Sequence, residues 1–313
     1  MFTIIFAFIL GFALSRASTC TVAATERLVM RRRIDWLLGI LVASSWAAIT
    51  LFVLAGFSNM PLNLPNASGL TSTLLIGVGV MGLGAWLNGG CFIGSGGRIS
   101  SGKLSFIFTF LGLAAARTLN VHQGLPALDP LPRGVRLTLE DDWLYWVLLG
   151  MFLALGIWSC IRLYRRRQQA IFALVVMGVA ATLLFVTKAD WSYEALIGRF
   201  VSGAGTTPDL VFELSVLALF VGAFLSSVLN QKFKVQIGGL RLSVMNFCGG
   251  LLMGIGAIFV QSGNDTLLLW VMPSMALHGF VAYFGMVGVV AALIFGQSVL
   301  YRMLGWTLQV TEH

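Results

Sequence analysis

Nine apolar stretches decide most of what this chain can become: about 2–14, 35–57, 70–87, 103–119, 143–161, 170–187, 210–229, 240–260 and 276–300. A hydrocarbon core about 30 Å thick is crossed by about 20 apolar residues in a helix, and every backbone polar group inside it must find a partner within the protein. Helices meet that demand segment by segment. The expected fold is therefore an all-α polytopic membrane protein with about nine transmembrane helices, forming a single integral membrane domain over 1–313. With 58% hydrophobic and 10% charged residues, a soluble chain of this size lacks the polar groups to cover its surface. The longest polar stretch, Asn120 to Asp142, is too short for a soluble domain. The short first stretch is followed, not preceded, by positive charge, the reverse of a cleaved signal peptide. It is expected to stay as a first span.

The net charge of +8 does not point to nucleic acid, because the basic residues flank the spans. Arg27/Arg31/Arg32/Arg33, Arg98/Lys103, Arg162/Arg165/Arg166/Arg167 and Lys232/Lys234/Arg241 fall in alternate loops. The intervening loops are uncharged (Ser58 to Ser68) or mix their basic residues with acids such as Asp129, Glu140, Asp141, Asp142, Asp190, Glu194 and Asp209. Positive loops face the cytoplasm, which puts the N-terminus outside and the C-terminus in the cytoplasm.

The run Asn88-Gly89-Gly90-Cys91-Phe92-Ile93-Gly94-Ser95-Gly96-Gly97-Arg98 cannot be a lipid-facing helix, since it holds five glycines in eleven residues and each costs about 1 kcal/mol against alanine. Bare backbone at membrane depth survives where it is buried in protein or lines a polar cavity. Backbone N–H groups, a thiol and a guanidinium are expected to converge there. The chain also repeats itself: Gly79-Val-Met-Gly-Leu-Gly-Ala85 reads like Leu251-Leu-Met-Gly-Ile-Gly-Ala257, and each leads into a polar break, Asn88 to Gly97 and Gln261 to Asp265. The two copies run in opposite directions across the membrane, which makes an inverted-topology repeat with halves about 1–120 and 165–305. Small residues at helix spacing also allow close packing, but that alone leaves the polar breaks unexplained. Further breaks at Ser15 to Thr21 and Val201 to Thr207 complete two per half. Short helices dipping inward from opposite faces would enclose an hourglass-shaped path.

These segments, Ser15-Arg16-Ala17-Ser18-Thr19-Cys20, Gly89-Gly90-Cys91-Phe92-Ile93-Gly94 and Gly249 to Ala257 with Gly263-Asn264-Asp265, resemble the YeeE/YedE family of bacterial inner-membrane proteins. Pro273 and His278 after the last motif are similar too. The resemblance implies nine spans with inward-dipping helices in an hourglass, and import of thiosulfate or a related small sulfur ion into the cytoplasm. It further implies that Cys20 and Cys91 hold the sulfur substrate along the path, and that a small TusA-like sulfur carrier is a cytoplasmic partner, docking on Arg31 to Arg33 or Arg165 to Arg167. Such transporters often have a third cysteine where this chain has Gly263-Asn264.

Thiosulfate is a dianion with one soft sulfur, so its path needs donors that replace water without gripping hard. The N–H groups of Gly90 and Gly94 and the helix N-termini behind them suit its oxygens. Arg16 and Arg98 supply charge near the entrance or exit, and a neutral Cys91 thiol is a weak donor suited to sulfur. Asp265 is costly inside a membrane; it either caps a short helix or couples protons. Asn88 and Asn264 are expected to cap their own breaks. Cys160 and Cys248 read as small hydrophobes. Without C-x-x-C, and with His122, His278 and His313 unsuited by spacing, no metal site is expected; without a P-loop, no nucleotide-driven pumping; and no cofactor. The chain is expected to be no enzyme and to have no catalytic residues. The alternative is a membrane sulfurtransferase-like protein in which Cys91 passes sulfane sulfur to a soluble carrier.

Overall fold

A computed structural model describes residues 1–17, 20–57, 62–123, 134–137, 143–166, 168–202 and 209–303. The breaks and charges placed at Ser18, Thr19, 203–207, Asp129, Glu140, Asp141, Asp142, Arg167 and His313, and the His122 side chain, lie outside them. The described residues form thirteen α-helices in chain order, with a 3-10 turn over Leu104–Phe106 ahead of the sixth. These are α1 (Phe2–Ala17), α2 (Thr21–Arg31), α3 (Asp35–Phe57), α4 (Ser72–Asn88), α5 (Phe92–Ser100), α6 (Ile107–Gln123), α7 (Trp143–Arg166), α8 (Gln169–Thr187), α9 (Tyr193–Ser202), α10 (Leu210–Leu229), α11 (Leu240–Val260), α12 (Asn264–Thr266) and α13 (Leu277–Met303). Among them are nine spans long and apolar enough to cross a membrane, as expected from the apolar stretches. The protein is an all-α multi-pass membrane protein.

The short helices follow four of the long ones. Each of α1, α4, α8 and α11 ends in a break and is followed by a short helix, α2, α5, α9 and α12 respectively; α12 continues as a π-helical turn over Leu267–Val271. The ends of α4 and α11 are built alike. In α4 the left-handed Gly89 (φ 65°) lets Gly90 donate back to the Ala85 carbonyl at 3.1 Å; in α11 the left-handed Gln261 (φ 59°) lets Ser262 donate to Ala257, also at 3.1 Å. Both acceptors are the final alanine of the repeated motif, so the motif marks equivalent helix ends.

Helix packing has a matching regularity. Helix α1 packs on α10 and α8, and α3 on α8; α4 packs on α11 and α13, and α6 on α11; α2 touches α13, and α9 touches α6. Exchanging α1–α6 with α8–α13 maps α1·α8 and α4·α11 onto themselves and each of the other pairings onto another one in the set. Helix α7 stands outside the scheme, against α3 and α8. The principal crossings bring backbones together. A Cβ on Gly256 would lie 2.6 Å from the Met81 nitrogen and 2.7 Å from the Gly77 carbonyl oxygen, and one on Gly84 would lie 2.6 Å from the Met253 nitrogen. Gly11 and Gly222 serve the α1–α10 crossing, and Gly178 the α3–α8 crossing, in the same way. Small residues at helix spacing thus set how closely the bundle closes.

Loops tie each end of the bundle. At one end Leu104 donates to the Gln236 carbonyl (3.0 Å) and Lys234 to that of Ser101 (3.0 Å). At the other, Ser68 donates to His278 Nδ1 (3.1 Å), Leu137 to Met275 (3.0 Å), and Arg136 to the Pro65 carbonyl.

At the start of α10, Asp209 accepts from the Phe212 N–H at 3.2 Å and from Lys188 Nζ at 2.6 Å. The Lys188 hydrogen bond, with that N-cap, holds the Asp209 carboxyl below its ordinary value. A lowered folded-state value contributes stability above the unfolded value and loses it as pH falls through the folded one. Asp209→Asn is therefore expected to lower thermal stability at neutral pH, with the gap from wild type closing on acidification below about pH 4. Melting curves of the two proteins across pH 3–7 in detergent check this.

Candidate functional site

The second and fourth breaks meet in the middle of the molecule. Helix α5 starts at Cys91, which is fully buried; its Sγ accepts from the Gly94 N–H at 3.4 Å, an N-cap made by a thiol. The next N–H, that of Phe92, donates to Asn264 Oδ1 at 3.1 Å. Asn264 therefore caps α5 across the molecule rather than its own break. Its Nδ2 is buried with no hydrogen-bond partner.

Cys20 is the N-cap residue of α2 and is 8% exposed. A Cβ on Gly94 would lie 2.6 Å from the Cys20 Sγ, so only glycine lets α5 seat against that thiol. Both thiols lie against Gly94, Cys91 through its Sγ and Cys20 where a Gly94 side chain would stand, so the two are close enough to act on each other's charge. The N-termini of α2 and α5 are thus brought together around two free thiols. Aligned peptide dipoles make each end partially positive, so the pair of thiols sits where negative charge is favoured. Beside them the Thr21 hydroxyl and the Tyr283 hydroxyl are 3.2 Å apart, buried.

Asn88 holds the break open. Its Nδ2 donates to the Gly90 carbonyl (2.7 Å) and the Ser95 hydroxyl (2.8 Å), and its Oδ1 accepts from Thr109 (2.6 Å). Here the expected capping of its own break is what the side chain does. Asn88→Ala leaves three buried polar groups without that partner, and at about 1–3 kcal/mol for a buried group so orphaned, a loss of roughly 3 kcal/mol is expected. Chemical denaturation in detergent against Asn88→Asp and wild type measures it.

The two arginines part company. Arg98 folds back, donating to the Gly89 carbonyl at 2.7 Å and stacking over Phe106 at 4.8 Å; a Cβ on Gly90 would come 3.1 Å from its Nη1. Its charge acts on Cys20. Arg16 instead donates to Asn230 (2.9 Å) and Gln169 (2.7 Å), tying α1 to the end of α10 and the start of α8. It braces the bundle and is not among the groups around the thiols.

In the fourth break, Gly263 takes the N-cap position that Cys91 takes in the second. A side-chain carbon there would lie 2.5 Å from Asp265 Oδ1, 3.2 Å from Glu194 Oε2 and 3.6 Å from Phe92. The space where a third thiol would stand is thus occupied by carboxylates. Asp265 lies in the first turn of α12, just after the Gly263 N-cap, and faces the Tyr193 hydroxyl; Glu194 is paired with Arg117. The third break also differs from the expectation. It comes at 188–192, ahead of α9, whereas the glycine-rich 201–207 begins at the end of α9 and from 203 on lies outside the described residues.

Above this level, a cavity of about 550 Å³ opens between residues 63–68, 189–195 and 261–278. Its floor includes Gly263 and Glu194 and its walls Arg117, Trp270 and His278. Tyr193, Glu194 and Arg117 escaped the sequence reading as site residues. The one available signal was that Glu194 and Arg117 are charges beside apolar stretches; nothing local pairs them across 77 residues.

A family model described as sulphur transport matches residues 16–292. The chain belongs to the sulphur transport family. It is also 21% identical, over 293 aligned positions covering 80% of each chain, to a protein of Escherichia coli (strain K12) named thiosulfate transporter TsuA. The match spans every break described above, and the two thiols lie within it.

Proposed function

We propose that this protein imports thiosulfate, or a small sulfur anion of the same charge, along a path from the cavity past Phe92 and Asn264 to Cys91 and Cys20. The observation that carries the reading is the meeting of two thiols at two helix N-termini. Partial positive charge attracts the dianion's oxygens, while weak S–H donors meet its soft sulfur and release it readily. The packing exchange between α1–α6 and α8–α13 supports two opposed halves, about 1–120 and 165–305, with the path between them. The basic loops at the end that holds Arg98 and Lys103 support placing that end in the cytoplasm of a cell whose inner membrane holds the protein. There a TusA-like carrier collects the sulfur, docking on Arg31 to Arg33 or Arg165 to Arg167. The protein is a carrier and not an enzyme: the thiols contact the anion without keeping its sulfur.

Uptake of ³⁵S-labelled thiosulfate into proteoliposomes tests the reading. Accumulation above protein-free vesicles, inhibited by sulfite more than by chloride, is expected. A persulfide trapped on Cys91 during turnover, with no uptake, would establish the sulfurtransferase alternative instead.

A further inference from the structure

The cavity carries a set of N–H donors that the thiol site does not use. Arg117 of α6 is the cation among its described lining residues. Its guanidinium is held by Glu194, and its Nε is buried without a partner. Trp270 lines the same cavity, is 1% exposed, and has an indole N–H with no hydrogen-bond partner, although its ring is fixed by stacking on Phe185 at 5.3 Å. His278 accepts the Ser68 N–H through Nδ1 at 3.1 Å, which leaves Nε2 as the donor of the neutral ring. Guanidinium, indole and imidazole N–H groups around one cavity suit the oxygens of a small anion. None of them suits a soft sulfur.

Glu194 is what now occupies Arg117. It is 5% exposed and faces a second carboxylate, Asp265, and the Tyr193 hydroxyl. Asp190 and His278 line the cavity beside it, and behind it on α10 Asp209 is already bound to Lys188 and near Arg199. A buried carboxylate beside another one keeps its charge only while a cation stays on it. An arriving dianion competes for the same guanidinium.

We propose that this cavity is the entry site for the anion, where Arg117 exchanges the Glu194 carboxylate for the anion's oxygens and Glu194 takes up a proton from water. The exchange is balanced: one carboxylate and one proton become a carboxylic acid, and the guanidinium keeps its charge. When the anion moves on, Arg117 returns and the proton leaves, so anion occupancy and proton occupancy are linked. The site reads charge and oxygen, and sulfur is read by the thiols beneath. The proposal rests on the transport reading and adds a separate site and a proton to it.

Calorimetric titration of the purified full chain with thiosulfate, in two buffers of different protonation enthalpy, counts the protons. Wild type is expected to take up roughly one proton per anion bound, and Glu194→Gln to bind with almost none and with an affinity that no longer changes with pH. Trp270→Phe keeps the stack on Phe185 and is expected to bind roughly tenfold more weakly, as loss of one hydrogen bond to a charged ligand predicts. Binding without proton uptake, the same uptake in Glu194→Gln (which would point to His278 or Asp265), or no measurable binding overturns the proposal. Labelled uptake by the same wild-type preparation separates the two readings: intact uptake with any of those results leaves thiosulfate transport standing and removes the entry site.

Discussion

Cys91→Ala is expected to lower the initial rate of thiosulfate uptake by roughly tenfold to a hundredfold, the equivalent of about 1.5–3 kcal/mol for one hydrogen bond to a charged group. Two effects could reduce the rate, and their sizes separate them. Losing the Sγ also removes the N-cap acceptor of the Gly94 N–H, which costs about 1 kcal/mol of stability. That is a small part of the roughly 5–15 kcal/mol by which folded proteins exceed the unfolded state. The variant should therefore fold, and the lost rate belongs to the path. Cys91→Ser restores a cap and a donor of smaller radius, and an intermediate rate is expected. Initial rates in proteoliposomes, normalised to protein that elutes as a single species, decide the matter. An unchanged rate in Cys91→Ala would sink the thiol path.

Gly256→Leu is expected to abolish the folded protein, whereas Gly79→Ala, in the companion motif, is expected to be harmless. A Cβ on Gly256 meets Met81 and Gly77 backbone within 2.7 Å, while one on Gly79 meets nothing within 4 Å. Overpacking against side chains costs about 1–3 kcal/mol because they can shift, but here the obstacle is another helix. Separating α4 from α11 moves both breaks, so the bond from Phe92 to Asn264 goes with it. At Gly79 the change replaces glycine in a helix, which stabilises by up to about 1 kcal/mol. Yield of monodisperse protein and its melting temperature measure both. A Gly256→Leu protein that melts like wild type would mean the crossing is not close-packed.

How much of this was legible beforehand follows from the range of each signal. The spans were, because apolar length is local and the bilayer demands it of each segment separately. So were the equivalent ends of α4 and α11, since the Met-Gly-x-Gly-Ala motif carries both the small face and the capping alanine. The α5 break was marked by its glycines and by Asn88, whose partners Gly90 and Ser95 lie within seven residues. Asn264 was noticed for its polarity but given the wrong partner, because Phe92 lies 172 residues away. Arg16, expected near the entrance or exit, has a bracing partner that no local signal announces, because Asn230 is 214 residues distant. The third break has neither glycine run nor cysteine; Lys188-Ala189-Asp190-Trp191-Ser192 looks like an ordinary loop until α9 is seen beyond it.

The sequence by itself determined that this chain enters a membrane, how many times its segments cross, and where its backbone leaves the helical ladder after α4 and α11. Those are consequences of transfer free energy and backbone hydrogen bonding, and both act residue by residue. Only the tertiary structure decided that Cys20 and Cys91 share one point, that Gly263 gives its place to carboxylates, and that Arg117 meets Glu194. Each of these depends on which helices pack together, and that depends on glycine faces whose partners lie far along the chain.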